Sequence, residues 1–194
     1  MEKPIRSPLF PLLMSGFYQL LKLVGLDSTE LIAYVPRIFQ FLVGGAFDIV
    51  LLKLNELYNP GTQAIMVLVS LSNWYTATLM SRFLVNSTEA LLTLVAFYLW
   101  NRRSEGWNDL WSRLIVILCF CMRPTSLFFW AIVWPYELLT MKTPFIGRIK
   151  FIFKNALTLL GMVALSLLVT RWWFGIWQLI EYNFLYVRDS CNSV

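Results

Sequence analysis

Ser81-Arg82-Phe83-Leu84-Val85-Asn86-Ser87-Thr88-Glu89 stands between two apolar runs, residues 64–79 and 90–100, each close to membrane length. Desolvating an arginine and a carboxylate at the edge of hydrocarbon costs several kcal/mol, so charges there are functional or paired. On a helix Arg82, Asn86 and Glu89 fall at i, i+4 and i+7, on one face. Such a stripe at a helix end reads as a site facing a membrane–water boundary. An Arg82–Glu89 ion pair, or capping by Ser87 or Thr88, explains the same residues without a substrate. Asn86-Ser87-Thr88 also matches the N-glycosylation sequon, whose position at the membrane edge argues against occupancy.

The composition agrees with a membrane setting. Of 194 residues 58% are hydrophobic and only 14% charged, and mean hydropathy is +0.64; soluble domains carry about 25% charged residues. Nine Trp, eight Tyr and fifteen Phe supply aromatic belts for the two interfaces. A soluble helical core of this length would lack polar surface to cover it. The net charge of +5 is dispersed at the ends of apolar runs, where anchoring and topology account for it, so no nucleic-acid partner is implied. The chain has no histidine. That removes imidazole acid–base chemistry, histidine metal sites and Ser-His-Asp triads, and no metal or cofactor is expected. Cys119 and Cys121 lie inside an apolar run, facing lipid or core. Cys191 is near the end of the sequence, and no disulfide framework follows.

The pattern predicts an all-α, polytopic membrane protein with an N-terminal interfacial helix and about six membrane helices. Residues 9–26 are apolar, but Ser15, Gln19 and Lys22 recur at helical spacing. With Pro8 and Pro11 at its start, this segment reads as a helix lying on the membrane rather than as a signal peptide. Membrane helices are predicted at 31–52, 63–80, 88–100, 113–122, 125–139 and 151–170, of which the third, fourth and fifth are short. Arg123-Pro124 separates two of them, because proline opens a helix and pushes the preceding residue out of helical geometry. Alternating spans put Lys53, Arg102, Arg103, Lys142, Arg148 and Lys150 on one side and Arg82 and Arg123 on the other. The positive-inside rule makes the first side cytosolic. Arg82, Asn86, Glu89, Arg123 and the Trp-rich tail after Arg171 then gather on the opposite side.

Three groups on that side can carry chemistry: the opening stripe, the Arg123-Pro124-Thr125-Ser126 turn, and Arg171-Trp172-Trp173-Phe174-Gly175-Ile176-Trp177 leading to Glu181-Tyr182-Asn183-Phe184. An arginine beside the uncommitted N–H groups of a helix start suits phosphate, while a snorkelling arginine explains it equally simply. Indoles stack on sugars, but headgroup anchoring is the default for them. Asp48, inside the first span, is read as a helix–helix hydrogen-bonding group, with a buried functional acid as the alternative.

Five segments in order carry a family resemblance: IRSPLFPLL (5–13), AYVPRIFQFLVGGAFDIVLLKL (33–54), SRFLVNSTEALLTLVAFYLW (81–100), CMRPTSLFFW (121–130) and FGIWQLIEYNFLYV (174–187). Together they resemble the dolichyl-phosphate-mannose-dependent mannosyltransferases of the endoplasmic reticulum, glycosyltransferase family 22, and within it the GPI-anchor branch. The resemblance implies a partial GT-C type fold in the endoplasmic reticulum membrane. It implies a dolichyl phosphate mannose donor, a glycolipid acceptor in GPI anchor biosynthesis, and inversion at the anomeric carbon. Arg82, Asn86, Glu89 and Arg123 become substrate-binding candidates, with Arg123 and Arg82 opposite the departing phosphate.

In the family the catalytic acid precedes the segment matched by Ile5-Arg6-Ser7, where only Met-Glu-Lys-Pro stands here, and Thr170 replaces a common acidic residue. No catalytic residue is therefore assigned. The chain reads as one transmembrane domain, 1–194, truncated at both ends relative to the family. Residues 1–27 are a lumenal interfacial segment and 171–194 the start of a lumenal loop. On its own it is not expected to be active. A truncated inactive relative and an unrelated membrane scaffold or transporter subunit stay open beside the enzyme.

Overall fold

The computed structural model describes residues 7–25, 28–73, 85–104, 107–175 and 177. Regular structure among them is helical throughout: α1 (Leu9–Leu23), α2 (Thr29–Tyr58), a 3-10 turn (Pro60–Thr62), α3 (Gln63–Ser72), α4 (Val85–Asn101), α5 (Asn108–Met122), α6 (Ser126–Thr140) and α7 (Phe145–Phe174). The chain divides into two compact units, Phe10–Ile115 on one hand and Met1–Leu9 with Val116–Val194 on the other.

In the first unit, α1 starts where Pro8 and Pro11 predict. It ends as Gly25 takes a positive φ of 74° and its N–H reaches Lys22 O at 3.1 Å, a conformation that glycine adopts without penalty. Tyr18 Oη donates to Ile32 O (3.5 Å), and Phe17 meets Phe39 with ring centroids 5.5 Å apart, tying α1 to α2. The N-cap Ser28 accepts the Leu31 N–H on its Oγ, and Glu30 occupies the first turn of α2, both favourable at a helix N-terminus. Helix α2 continues six residues past the predicted end at Leu52, because Lys53, Asn55 and Glu56 sit in its final turns. Hydropathy registers the edge of a bilayer rather than the end of a hydrogen-bonded helix. Predicted to reach residue 80, with residues 74–80 of that span outside the described residues, α3 ends at Ser72. There Ser72 Oγ bonds Val69 O and the Asn73 N–H bonds Ser70 O, so side chain and backbone close the last turn locally.

Helix α4 packs along α2, and Tyr58 Oη donates to Asn101 Oδ1 at 2.6 Å. The C-terminal ends of α2 and α4 therefore meet, as alternation of the segments requires, and the Lys53 and Arg102/Arg103 regions share one end of this unit. Helix α5 meets α4 where Ser112 Oγ donates to Ala96 O at 2.7 Å in a fully buried contact.

The second unit holds the end of α5 together with α6 and α7. Phe151, Asn155, Thr158, Met162, Ser166 and Thr170 are the buried residues of α7. Their spacing of three and four keeps them on one face. Gly161 brings that helix against Ile117 of α5, and Cys121 Sγ lies 3.9 Å from Met162 O. Cys119 and Cys121 are buried thiols, resolving the lipid-or-core choice for the core. Helix α7 runs from Phe145 to Phe174 rather than 151–170, since Arg148 and Lys150 extend its start and Gly175, φ 72°, closes its end. Among the described residues two helices, Glu30–Tyr58 and Phe145–Phe174, are long and apolar enough to cross a membrane, and only 11% and 22% of their apolar windows are buried. Helices α4, α5 and α6 are short as predicted, at 17, 15 and 15 residues.

Candidate functional site

The opening stripe falls partly on α4. Arg82 lies outside the described residues, so the Arg82–Glu89 pairing does too. Asn86 is exposed and Glu89 half-buried, three residues apart on one face of the first turns of α4. Ser87 and Thr88 do not cap this helix: they lie within it, 3% and 6% exposed. The Thr88 hydroxyl is buried without a hydrogen-bond partner among the described residues, a cost of about 1–3 kcal/mol unless something outside them supplies one. The acceptor hydroxyl of the sequon is thus enclosed while its asparagine is exposed.

Arg123 belongs to the other unit and is half-buried. Its N–H reaches Cys119 O at 2.8 Å, finishing α5, and the chain turns at Pro124 as predicted. Its placement beside uncommitted N–H groups is corrected. Ser126, Leu127 and Phe128 N–H bond the carbonyls of Arg123, Pro124 and Thr125 at 3.3, 3.1 and 3.2 Å, and Ser126 Oγ also donates to Arg123 O. The tight turn forced by proline satisfies the start of α6 internally, with three-residue bonds. Any anion binding at Arg123 therefore rests on its guanidinium.

Of the third group, Arg171 to Gly175 and Trp177 are described. Trp172 and Trp177 are 72% and 64% exposed, Arg171 lies over the Trp177 ring at 5.8 Å, and its guanidinium donates to Gly175 O. Exposed indoles around a helix end fit headgroup anchoring. Glu181, Tyr182, Asn183 and Phe184 lie outside the described residues. Thr170 is fully buried, its hydroxyl donating to Ser166 O at 2.8 Å.

Asp48 is a helix–helix group, as its default reading held: Ser70 Oγ of α3 donates to its Oδ1 at 2.6 Å. Gln40, 1% exposed on α2, lies in the segment 33–54 that carries part of the resemblance, but sequence reasoning gave it no role. A lone amide inside an apolar run was the available signal. It also passed over the stack in which Arg103 and Arg113 lie 5.0 and 5.2 Å from the Trp100 ring. No local pattern announces that stack, because Arg113 arrives from another helix.

The profile of the Alg9-like mannosyltransferase family matches residues 1–187. The chain belongs to that family. The Alg9-like match covers both α4 and the Arg123 turn. Among relatives, GPI alpha-1,2-mannosyltransferase 3 of Homo sapiens is 31% identical over 193 residues, covering 93% of this chain and 32% of its own length. Mannosyltransferase APTG1 of Arabidopsis thaliana is 29% identical over 191 residues, 95% of this chain and 34% of its own. GPI mannosyltransferase 3 of Drosophila melanogaster is 30% identical over 183 residues, 93% and 30%. The chain thus spans about a third of the length of the curated relatives it matches. No solved structure matches it.

Proposed function

We propose that this chain is part of a glycosyltransferase that moves mannose from dolichyl phosphate mannose to a GPI-anchor precursor, as a multi-pass protein of the endoplasmic reticulum membrane. The observation that carries this reading is the match, over 93% of this chain, to relatives named GPI alpha-1,2-mannosyltransferase 3. Residues 1–194 form one portion of a larger GT-C module. Residues 1–27 lie at the lumenal interface, the helices from 31 to 170 are embedded, and a lumenal loop follows α7.

Mannosyl transfer with inversion needs a base for the acceptor hydroxyl and positive charge where the phosphate departs. The Asn86–Glu89 face offers hydrogen-bonding groups for a polar headgroup or sugar, and Glu89 in α4 binds rather than serves as the base. Arg123 presents a guanidinium at a proline turn, suited to neutralising a leaving phosphate, and Arg82, outside the described residues, is a second candidate for that charge. Exposed Trp172 and Trp177 fix the depth of α7. In a full-length relative, Arg123→Ala and Arg82→Ala at the matching positions reduce transfer from dolichyl phosphate mannose by about 100-fold, the range for removing one transition-state donor. Unchanged transfer in both variants sinks the site assignment. Failure of the unaltered full-length protein to transfer mannose sinks the functional reading itself.

A further inference from the structure

We infer that the segment from Lys142 to Lys150, the connection into α7 and its first turns, is a docking surface for the headgroups of anionic glycerophospholipids. Length fixes its depth. Helix α7 has 30 residues and is about 45 Å long at 1.5 Å per residue, whereas the hydrocarbon of a bilayer is about 30 Å thick. Exposed Arg171 and Trp172 mark headgroup level at its C-terminal end. About 20 residues back from Arg171, one hydrocarbon thickness, stands Phe151. Lys150 and Arg148 therefore emerge into the opposite headgroup layer, and Lys142 follows just beyond.

All three side chains are exposed. Among the described residues Lys142 and Lys150 have no hydrogen-bond or ion-pair partner. Arg148 commits one Nη2 bond to Met141 O at 3.2 Å, out of five donors. No Asp or Glu stands between Glu137 and Glu181, so the segment brings no counter-charge of its own. At about 100° per residue, Phe145, Ile149 and Phe153 form an apolar strip, 76%, 49% and 69% exposed, with Arg148 on one flank and Lys150 on the other. Long cationic side chains lie along such a strip and carry their charges to phosphate depth. The occupant follows from both features. The strip continues into a helix apolar enough to cross a membrane, and the charges complement phosphate where lipid phosphate is abundant. A soluble polyanion would match the charges and leave the strip uncovered. The inference needs α7 to span a bilayer and does not depend on mannosyl transfer.

The test reconstitutes the 194-residue chain alone in phosphatidylcholine bilayers with trace spin-labelled phosphatidylserine or phosphatidylcholine, and reads the motionally restricted fraction of each. At about 0.1 M salt the chain is expected to select the anionic probe about fivefold, the factor that one basic residue near a charged surface supplies. Lys142→Gln with Lys150→Gln is expected to bring the ratio below about 2, and Lys142→Glu with Lys150→Glu below about 1. Both positions are exposed and outside the packed face of α7, so the fold withstands these changes. Lys22→Gln with Lys53→Gln removes the same charge from exposed positions in the first unit and retains the preference. Equal loss in the two glutamine pairs, or no preference in the parent, overturns the inference. So does a preference that persists in about 1 M salt, where the screening length falls to about 3 Å. Displacement of the lipid probe by millimolar inorganic phosphate overturns the lipid as the source.

Discussion

Gly161 of α7 lies against Ile117 of α5, and enlarging it tests the packing that carries Arg123. A Cβ at Gly161 would lie 2.9 Å from Ile117 Cδ1 and 3.7 Å from its Cγ1. Ordinary contact begins at 3.4 Å, so the Ile117 tip must retreat by about 0.5 Å. A flexible terminal methyl can do that. Replacing a helical glycine by alanine also gains up to about 1 kcal/mol, less where a membrane already holds the helix formed before it packs. Gly161→Ala is therefore expected to leave stability within about 1 kcal/mol of the parent. Gly161→Leu places three further carbons where Ile117 stands, and is expected to cost about 1–3 kcal/mol. Ile117→Ala opens that space, and the two changes together should cost at least 1 kcal/mol less than their sum. Unfolding of the purified chain in mixed micelles by titrated dodecyl sulfate, followed by helical circular dichroism, measures the four variants against the parent. Strict additivity, or a Gly161→Leu protein as stable as the parent, refutes the close α5–α7 approach.

Two further outcomes follow from single contacts. Ser70→Ala removes the 2.6 Å bond to Asp48 and is expected to destabilise the first unit by about 0.5–2 kcal/mol. Asp48→Ala then adds nothing further from that bond, so a double-mutant cycle returns a coupling of the same size, and zero coupling contradicts the contact. The sequon stays unmodified because Thr88 is enclosed in α4: expressed in a secretory membrane, the chain should show no mobility shift on N-glycosidase treatment, and Asn86→Gln should run identically to the parent.

What the sequence disclosed was governed by local rules, and what it concealed was tertiary. The Arg123-Pro124 reversal and the helix at Leu9 were legible because proline geometry and polar spacing act within a few residues. The ends of α2 and α7 were misjudged since Lys53, Glu56, Arg148 and Lys150 remain helical beyond any apolar window. The uncommitted N–H groups expected beside Arg123 were lost to a tighter turn, whose bonds depend on backbone angles rather than residue type. Asp48 was recognisable as anomalous in an apolar run, yet its partner Ser70 lies 22 positions away. The Trp100 stack needed α5 folded back on α4 before its second arginine could be counted.

Exposure along the two longest helices argues for the medium around them. On α7, Phe153, Leu157, Leu160 and Leu168 are 69%, 58%, 65% and 55% exposed, while Asn155, Thr158, Ser166 and Thr170 are 8% exposed or less. On α2, Phe41 and Leu42 are 79% and 62% exposed beside Gln40 at 1%. In water each outward Leu or Phe forgoes about 1.5–3 kcal/mol of burial, and the inward polar groups add a desolvation cost. In hydrocarbon both signs reverse: apolar side chains face a matching solvent, and polar ones are driven inward to find partners. The same reversal raises the cost of Glu89 and Arg123, each half-buried at a helix end. The substrate-binding role proposed above for these two charges would supply a physical reason for that cost.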